Sequence, residues 1–195
     1  MPRTGRPRAF DDGQVVLGAR DVFWQRGYAA TSMRELKENL GVFPGSLYGA
    51  FGDKHALFLR ALERYSDDTR TAAAALAAPG PWLPRIAEML LDVLTAAEAA
   101  PGRGCMLGNT AAELLPQDHA AGRVVREAYG ALEQAITAAL SRAQAAGEVR
   151  ADVDCAVQGR VLLVLMQGLH IVARAEPDPR RLQDVIHAAL ATVAN

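Results

Sequence analysis

The run from Thr31 to Lys54, TSMRELKENLGVFPGSLYGAFGDK, constrains this chain more than any other stretch. Thr31 or Ser32 is placed to cap a short helix whose apolar residues Met33, Leu36 and Leu40 fall at helical spacing, and Gly41 breaks it where the chain must turn. A second short helix begins almost at once. Pro44 suits its first turn because the missing N–H is not needed there. Leu47 and Phe51 point back at the first helix, which leaves Gly45, Ser46, Tyr48 and Gly49 on the outer side. Two helices joined by a tight glycine turn, the second small and polar on its free face, read as a helix-turn-helix.

The order Gly41, Val42, Gly45, Ser46, Leu47, Tyr48, Phe51, then Asp53, Lys54, Ala56, Leu57 and Phe58 resembles the DNA-binding signature of the TetR family of bacterial transcriptional repressors. The resemblance is tight over the first third of the chain and holds only in helical layout beyond it. A bare helix-turn-helix is a weak signal; the joined GSLYxxFxDKxxLF run after an amphipathic helix is a specific one. By the resemblance, Tyr48 and Lys54 match positions that hold phosphates. Phe43, Pro44, Gly45, Ser46 and Leu47 lie where groove contacts are made or supported, with Leu47 read as core from its apolar character. Thr31 and Ser32 stand at a helix N-terminus suited to a phosphate. One departure matters. The family often carries Ser or Thr where Phe43 stands, so the second helix loses its capping hydroxyl, and the operator sequence cannot be carried over.

Net charge is −1, which argues for no particular partner, but the charge is uneven. Residues 1–66 carry ten Lys and Arg against seven Asp and Glu, whereas the remainder is acidic. Arg3, Arg6 and Arg8 fall in a Gly- and Pro-containing arm without helical pattern, free to follow phosphates or enter a minor groove. Cys105 and Cys155 are fifty positions apart, neither a disulfide framework nor a metal or redox motif, so no metal or cofactor is expected. No apolar run approaches a membrane span, and MPRTGRPR leads into Phe10, Asp11 and Asp12 instead of a signal sequence; a cytoplasmic protein is expected.

The rest of the chain shows helical periodicity throughout, with no strand-like alternation. The spacing predicts a first helix over residues 12–26, a connector from Asp53 through the alanine-rich 69–78 to Pro79, and helices near 82–99, 105–115, 118–146, 154–173 and 178–193. The expected fold is all-α with about nine helices: a three-helix DNA-binding domain with its arm over residues 1–66, and a helical effector-binding and dimerisation domain over 67–195. The helix near 161–172 is apolar over most of its surface, more than one face of a small bundle uses. With the last helix it is expected to form a homodimer interface through Val161, Leu165, Leu169, Leu182, Val185, Ile186 and Ala189. The resemblance implies a four-helix contact of this kind, and a dimer presents two recognition helices about 34–36 Å apart to a palindromic operator in double-stranded DNA.

The resemblance further implies a small-molecule effector held among the C-terminal helices. Trp82, Met89, Met106, Tyr129, Met166 and His170 are adaptable or amphipathic side chains suited to an apolar or aromatic ligand, and equally to core packing. Asn109 and Glu113, one turn apart, would orient a polar group. Cys105 begins a helix after Gly102, Arg103 and Gly104, and the run RGCMLGNTAAEL resembles a segment of a TetR branch that includes electrophile- and redox-responsive repressors. An inert pocket-lining thiol is the other reading. The branch's sensors can pair the cysteine with a distant lysine, and here the two lysines, Lys37 and Lys54, both lie in the DNA-binding part. An enzyme is not expected: the four histidines are scattered, and no nucleophile elbow, phosphate loop or HExxH is present. Repression and activation remain open alternatives.

Overall fold

The computed structural model describes residues 11–195, without the Pro44 side chain; Arg3, Arg6 and Arg8 lie outside the described residues. Nine α-helices are present among the described residues: α1 (Asp12–Arg26), α2 (Met33–Leu40), α3 (Pro44–Phe51), α4 (Lys54–Ala73), α5 (Trp82–Ala99), α6 (Met106–Leu114), α7 (His119–Ala145), α8 (Cys155–Val172) and α9 (Pro179–Ala191), with a 3-10 turn at Ala74–Ala77. The chain divides into two compact units at Tyr65/Ser66, inside α4.

Local chemistry sets the helix ends. Asp11, Asp118, Asp154 and Asp178 each accept a backbone N–H of the first turn of α1, α7, α8 and α9, relieving donors that have no partner inside the helix. Ser32, not Thr31, caps α2, and Glu35 returns the bond to the Ser32 N–H, a complete capping box. Gly41 ends α2 at φ 66°, left-handed backbone that a side chain disfavours.

In the N-terminal unit, α1 contributes Val15, Val16, Ala19, Val22 and Phe23 to the core, α2 Leu36, α3 Leu47 and Phe51, and α4 Leu57, Phe58, Ala61 and Leu62. Phe58 meets Phe23 edge-on at 5.2 Å and Tyr28 at 4.9 Å, which fixes the turn between α1 and α2 against α4.

In the C-terminal unit, one core joins four helices: Ile86 and Leu90 of α5, Ile136 and Leu140 of α7, Leu162, Met166 and Leu169 of α8, and Leu182 and Ile186 of α9. α6 packs on α7 and buries Met106, Leu107 and Thr110. The chain end is tied back by a bridge between Val149 and Ala194.

Two sequence expectations change. α8 is, among the described residues, the one helix long and apolar enough to cross a membrane by length and composition, at mean hydropathy 1.5; its few polar residues are too sparse to lower the average. Within α8 and α9, Leu169, Leu182 and Ile186 belong to the protomer's own core and do not form a free interface. Val161 of α8 and Val185 of α9, also expected there, do face outward, joined by Val157, Val164, Ile171 and Val172 of α8, with Leu165 and Ala189 half-buried between the two sets. An apolar surface that runs round the whole helix gives periodicity no way to tell inside from outside.

Candidate functional site

The recognition element is built from the inside outward. Leu47 is 1% exposed and, with Phe51, anchors α3 on the core. That anchoring turns the opposite side out: Gly45, Ser46, Tyr48 and Gly49 are exposed, and Phe43, just before the helix, is 74% exposed. Phe43 provides no side-chain cap, and Pro44 fills the first turn. Lys37, at the end of α2, holds its ammonium 5.7 Å from the Phe43 ring centroid, so a cation joins the exposed aromatic face. The sequence reading missed Lys37; its signal was an aromatic six residues on, across the glycine turn.

The other expected DNA contacts are already engaged. The Thr31 hydroxyl donates to the Gly27 carbonyl at 2.7 Å in a residue 1% exposed. The Ser32 hydroxyl donates to the Glu35 carboxylate and accepts the Glu35 N–H. The Lys54 ammonium donates to the carbonyls of Tyr28 and Thr31, both at 2.8 Å, and sits 4.2 Å from the Tyr28 ring centroid. At most one of its three N–H groups is left for a phosphate. Glu35 completes the knot, pairing with Arg26 at 2.6 Å. Hydrogen bonds from the Ser32 backbone and hydroxyl, with Arg26 and Lys54 adding charge, hold its carboxyl below the usual range. Thr31, Ser32 and Lys54 thus fasten the α1–α2 turn, which in turn sets the position of α3.

In the C-terminal unit, the nine expected effector residues do not form one group. Cys105 is buried at the N-cap of α6. Tyr129 lies close to it and donates its hydroxyl to Gln167 Oε1 at 3.1 Å; burial, with a smaller contribution from Cys105, pushes the phenol well up. The Gln167 Nε2 is buried and has no hydrogen-bond partner. A Cβ at Gly108 would come 2.9 Å from Gln167 Oε1, so the glycine makes room for this amide. Met166 and His170 flank Gln167 on α8, and burial pulls the His170 imidazole down to about 4. Asn109 donates to the Arg103 carbonyl, while Glu113 is exposed.

Trp82 stands elsewhere. Its backbone N–H bonds the Glu148 carboxylate at 2.9 Å, beyond the end of α7. Tyr129 precedes that end by sixteen residues, about 24 Å at the helical rise. Met89 packs on the core beside α5's own buried residues. A cleft of about 180 Å³ is lined by Leu94, Ala97, Glu98, Ala173, Glu176, Pro177, Pro179 and Leu182; none of the expected effector residues faces it. Gln167 was the residue missed here, and the one signal for it was an amide inside the apolar run 161–172.

Comparison with known proteins agrees with this layout. The family model described as "Bacterial regulatory proteins, tetR family" matches residues 16–61, and "Tetracyclin repressor-like, C-terminal domain" matches residues 83–189. The HTH-type transcriptional regulator YezE of Bacillus subtilis is 31% identical over 97% of this chain and 99% of its own. The HTH-type transcriptional repressor ComR of Escherichia coli is 29% identical over 95% of this chain and 90% of its own. A solved structure of a cysteine mutant of the TetR family regulator CifR, complexed with 26 bp double-strand operator DNA, superposes with a TM-score of 0.83 at 30% identity, covering 97% of this chain and all of that one. With both halves matched and the exposed α3 where a helix-turn-helix presents it, this chain is a DNA-binding transcriptional regulator, not an enzyme, and belongs to the TetR family.

Proposed function

We propose that this regulator is a dimeric repressor that binds a palindromic operator and is released by a small-molecule effector. The observation that carries the reading is the free face of α3, where Phe43, Ser46 and Tyr48 stand exposed on a helix whose other side is locked into the core. The Tyr48 hydroxyl suits a phosphate; Ser46 and the Phe43 ring suit a base edge and a thymine methyl. Repression and operator binding follow ComR's description as a repressor and the CifR complex with operator DNA; palindromic pairing follows from two recognition helices related by a two-fold axis. Selection from random duplexes, followed by gel-shift titration against salt, tests it. The expected outcome is an inverted repeat whose half-sites lie about one helical turn apart, with Tyr48→Phe lowering affinity about equally across operator sequences and leaving the salt slope unchanged, because the lost phosphate partner is a neutral hydroxyl. A protein that enriches no inverted repeat refutes the reading.

The effector reading rests on the unpartnered Gln167 amide beside Tyr129 and Cys105. A buried donor without a partner is costly, and a ligand carbonyl would relieve it. A true effector raises the melting temperature by mass action and lowers operator affinity. Cys105 supports a second reading, release by covalent modification of its thiol. Retained operator affinity after complete alkylation with iodoacetamide removes Cys105 from the switch.

A further inference from the structure

The ends of α5 and α8 and the start of α9 enclose the cleft of about 180 Å³ that none of the expected effector residues faces. Its floor is apolar, with Leu94 and Leu182 4% and 7% exposed. One wall is stiff. Pro177 and Pro179 fix their own φ angles, and the Glu176 carboxylate ties the loop that carries them, accepting the Asp178 N–H at 3.1 Å and pairing with Arg181 at 2.9 Å. The facing wall belongs to the last turn of α5 and carries Glu98. A carboxylate is disfavoured there, because the unpaired carbonyls at a helix C-terminus already hold a partial negative charge. Glu98 makes no hydrogen bond or ion pair among the described residues, and the last turn of α5 holds no basic side chain. α8 ends at the same cleft, with its C-cap Ala173 in the lining. The nearby guanidinium groups are committed elsewhere, Arg181 to Glu176 and Arg174 to the Gly102 carbonyl at 2.6 Å.

We propose that this cleft binds a small aliphatic ammonium ion, its charge on the Glu98 carboxylate beside the carbonyl ends of α5 and α8 and its hydrocarbon body over Leu94 and Leu182. Charge selects the occupant. An anion would meet a free carboxylate and two helix C-termini, and a neutral molecule would leave Glu98 without a counter-charge, whereas an ammonium ion answers all three. Size selects as well. A volume of about 180 Å³ equals about six water molecules at roughly 30 Å³ each and falls below the roughly 300–1,000 Å³ of pockets for drug-sized ligands. A monoamine of about seven non-hydrogen atoms fits this space, and a polycyclic cation does not. Glu176, already neutralised by Arg181, holds the loop in place instead of the ligand. No residue of the Tyr129–Gln167 group lines the cleft, so the proposal stands apart from the effector reading above.

Titration of the full chain, isotopically labelled for amide chemical shifts, with cyclohexylammonium at pH 7 tests the proposal; cyclohexanol and cyclohexanecarboxylate serve as the neutral and anionic probes of matched shape. The amine is expected to saturate with a Kd of about 0.1–1 mM, as an efficient ligand of this size can, and to move amides in the segments 94–98 and 173–182. The alcohol and the acid should bind at least ~10-fold more weakly. Glu98→Gln should weaken the amine at least ~3-fold and leave the spectrum elsewhere unchanged, since the side chain is exposed and its neutralisation relieves the end of α5. Absence of saturable shifts in those segments up to about 20 mM amine overturns the site. Cyclohexanol binding within ~3-fold of the amine on the wild-type chain, a comparison that needs no variant to fold, overturns the choice of a cation, as does a loss smaller than ~3-fold in Glu98→Gln.

Discussion

Lys54→Ala distinguishes a lysine that holds DNA from one that holds the protein. The ammonium makes two charge-assisted bonds of 2.8 Å to the carbonyls of Tyr28 and Thr31 and lies over the Tyr28 ring. Hydrogen bonds to a charged group contribute about 1.5–3 kcal/mol each, and a cation over an exposed ring about 0.5–1 kcal/mol. These are not additive, because one ammonium makes all three contacts and water can enter part of the space it leaves. Removing a cation from the first turn of α4 also returns about 0.3–1 kcal/mol of dipole energy. The net loss should be on the order of 2 kcal/mol, a shift of about 1–2 M in the urea midpoint. Trp24 packs on Tyr65 at 4.8 Å inside the N-terminal unit, so its fluorescence in a Trp82→Phe background reports that unit alone. Operator affinity should fall as well, but through misplacement of α3, with the salt slope unchanged. A slope smaller by about 1.8 would instead count one lost phosphate contact in each protomer of the operator-bound dimer. An unchanged urea midpoint combined with that smaller slope refutes the fastening role.

Three further outcomes are expected. His170 is held neutral by burial, down to about 4 from an ordinary 6.5, so the unfolded chain binds the extra proton first. Stability contributed above pH 6.5 is then lost as pH falls toward 4, on the order of 3 kcal/mol, and His170→Phe should flatten that part of a pH series of melting curves. Gly159→Ala should lower the melting temperature, since overpacking against Thr137 costs about 1–3 kcal/mol against a helix gain of about 1 kcal/mol; an unchanged or higher value would show that α7 and α8 separate without cost. Phe43→Ser should stabilise the free N-terminal unit by about 1 kcal/mol, because it restores the missing cap of α3, while operator affinity in gel shift falls through loss of the exposed ring.

The helices were legible in the sequence because their ends are local events. A capping Asp or Ser and a glycine stop act within four residues, so Asp11, Asp118, Asp154 and Asp178 mark their helices without reference to the rest of the fold. Side-chain commitments are not local. Lys54 finds its acceptors 23 and 26 residues back along the chain, and no spacing rule announces that. Gly159 and Gly168 look alike in the sequence, yet Thr137 sits against one and open space against the other.

The same distinction explains which of the expected DNA contacts remain available. An N-terminal unit this small buries too little apolar surface to fix a turn by packing alone, so the polar side chains of the α1–α2 turn must do part of the fastening. Thr31, Ser32 and Lys54 have the chemistry of phosphate ligands, and a charged donor near a bent backbone is drawn to carbonyls for the same reason it is drawn to phosphates. Residues so engaged set where α3 stands, and cannot also vary with the operator. Under the proposed function, sequence discrimination therefore falls to the exposed side chains that the core has no use for and that hold no phosphate, Phe43 and Ser46, with Lys37 beside them. Exchanging these for the corresponding residues of another family member should move operator preference without moving the unfolding free energy by more than about 0.5 kcal/mol beyond any cap gained at Phe43.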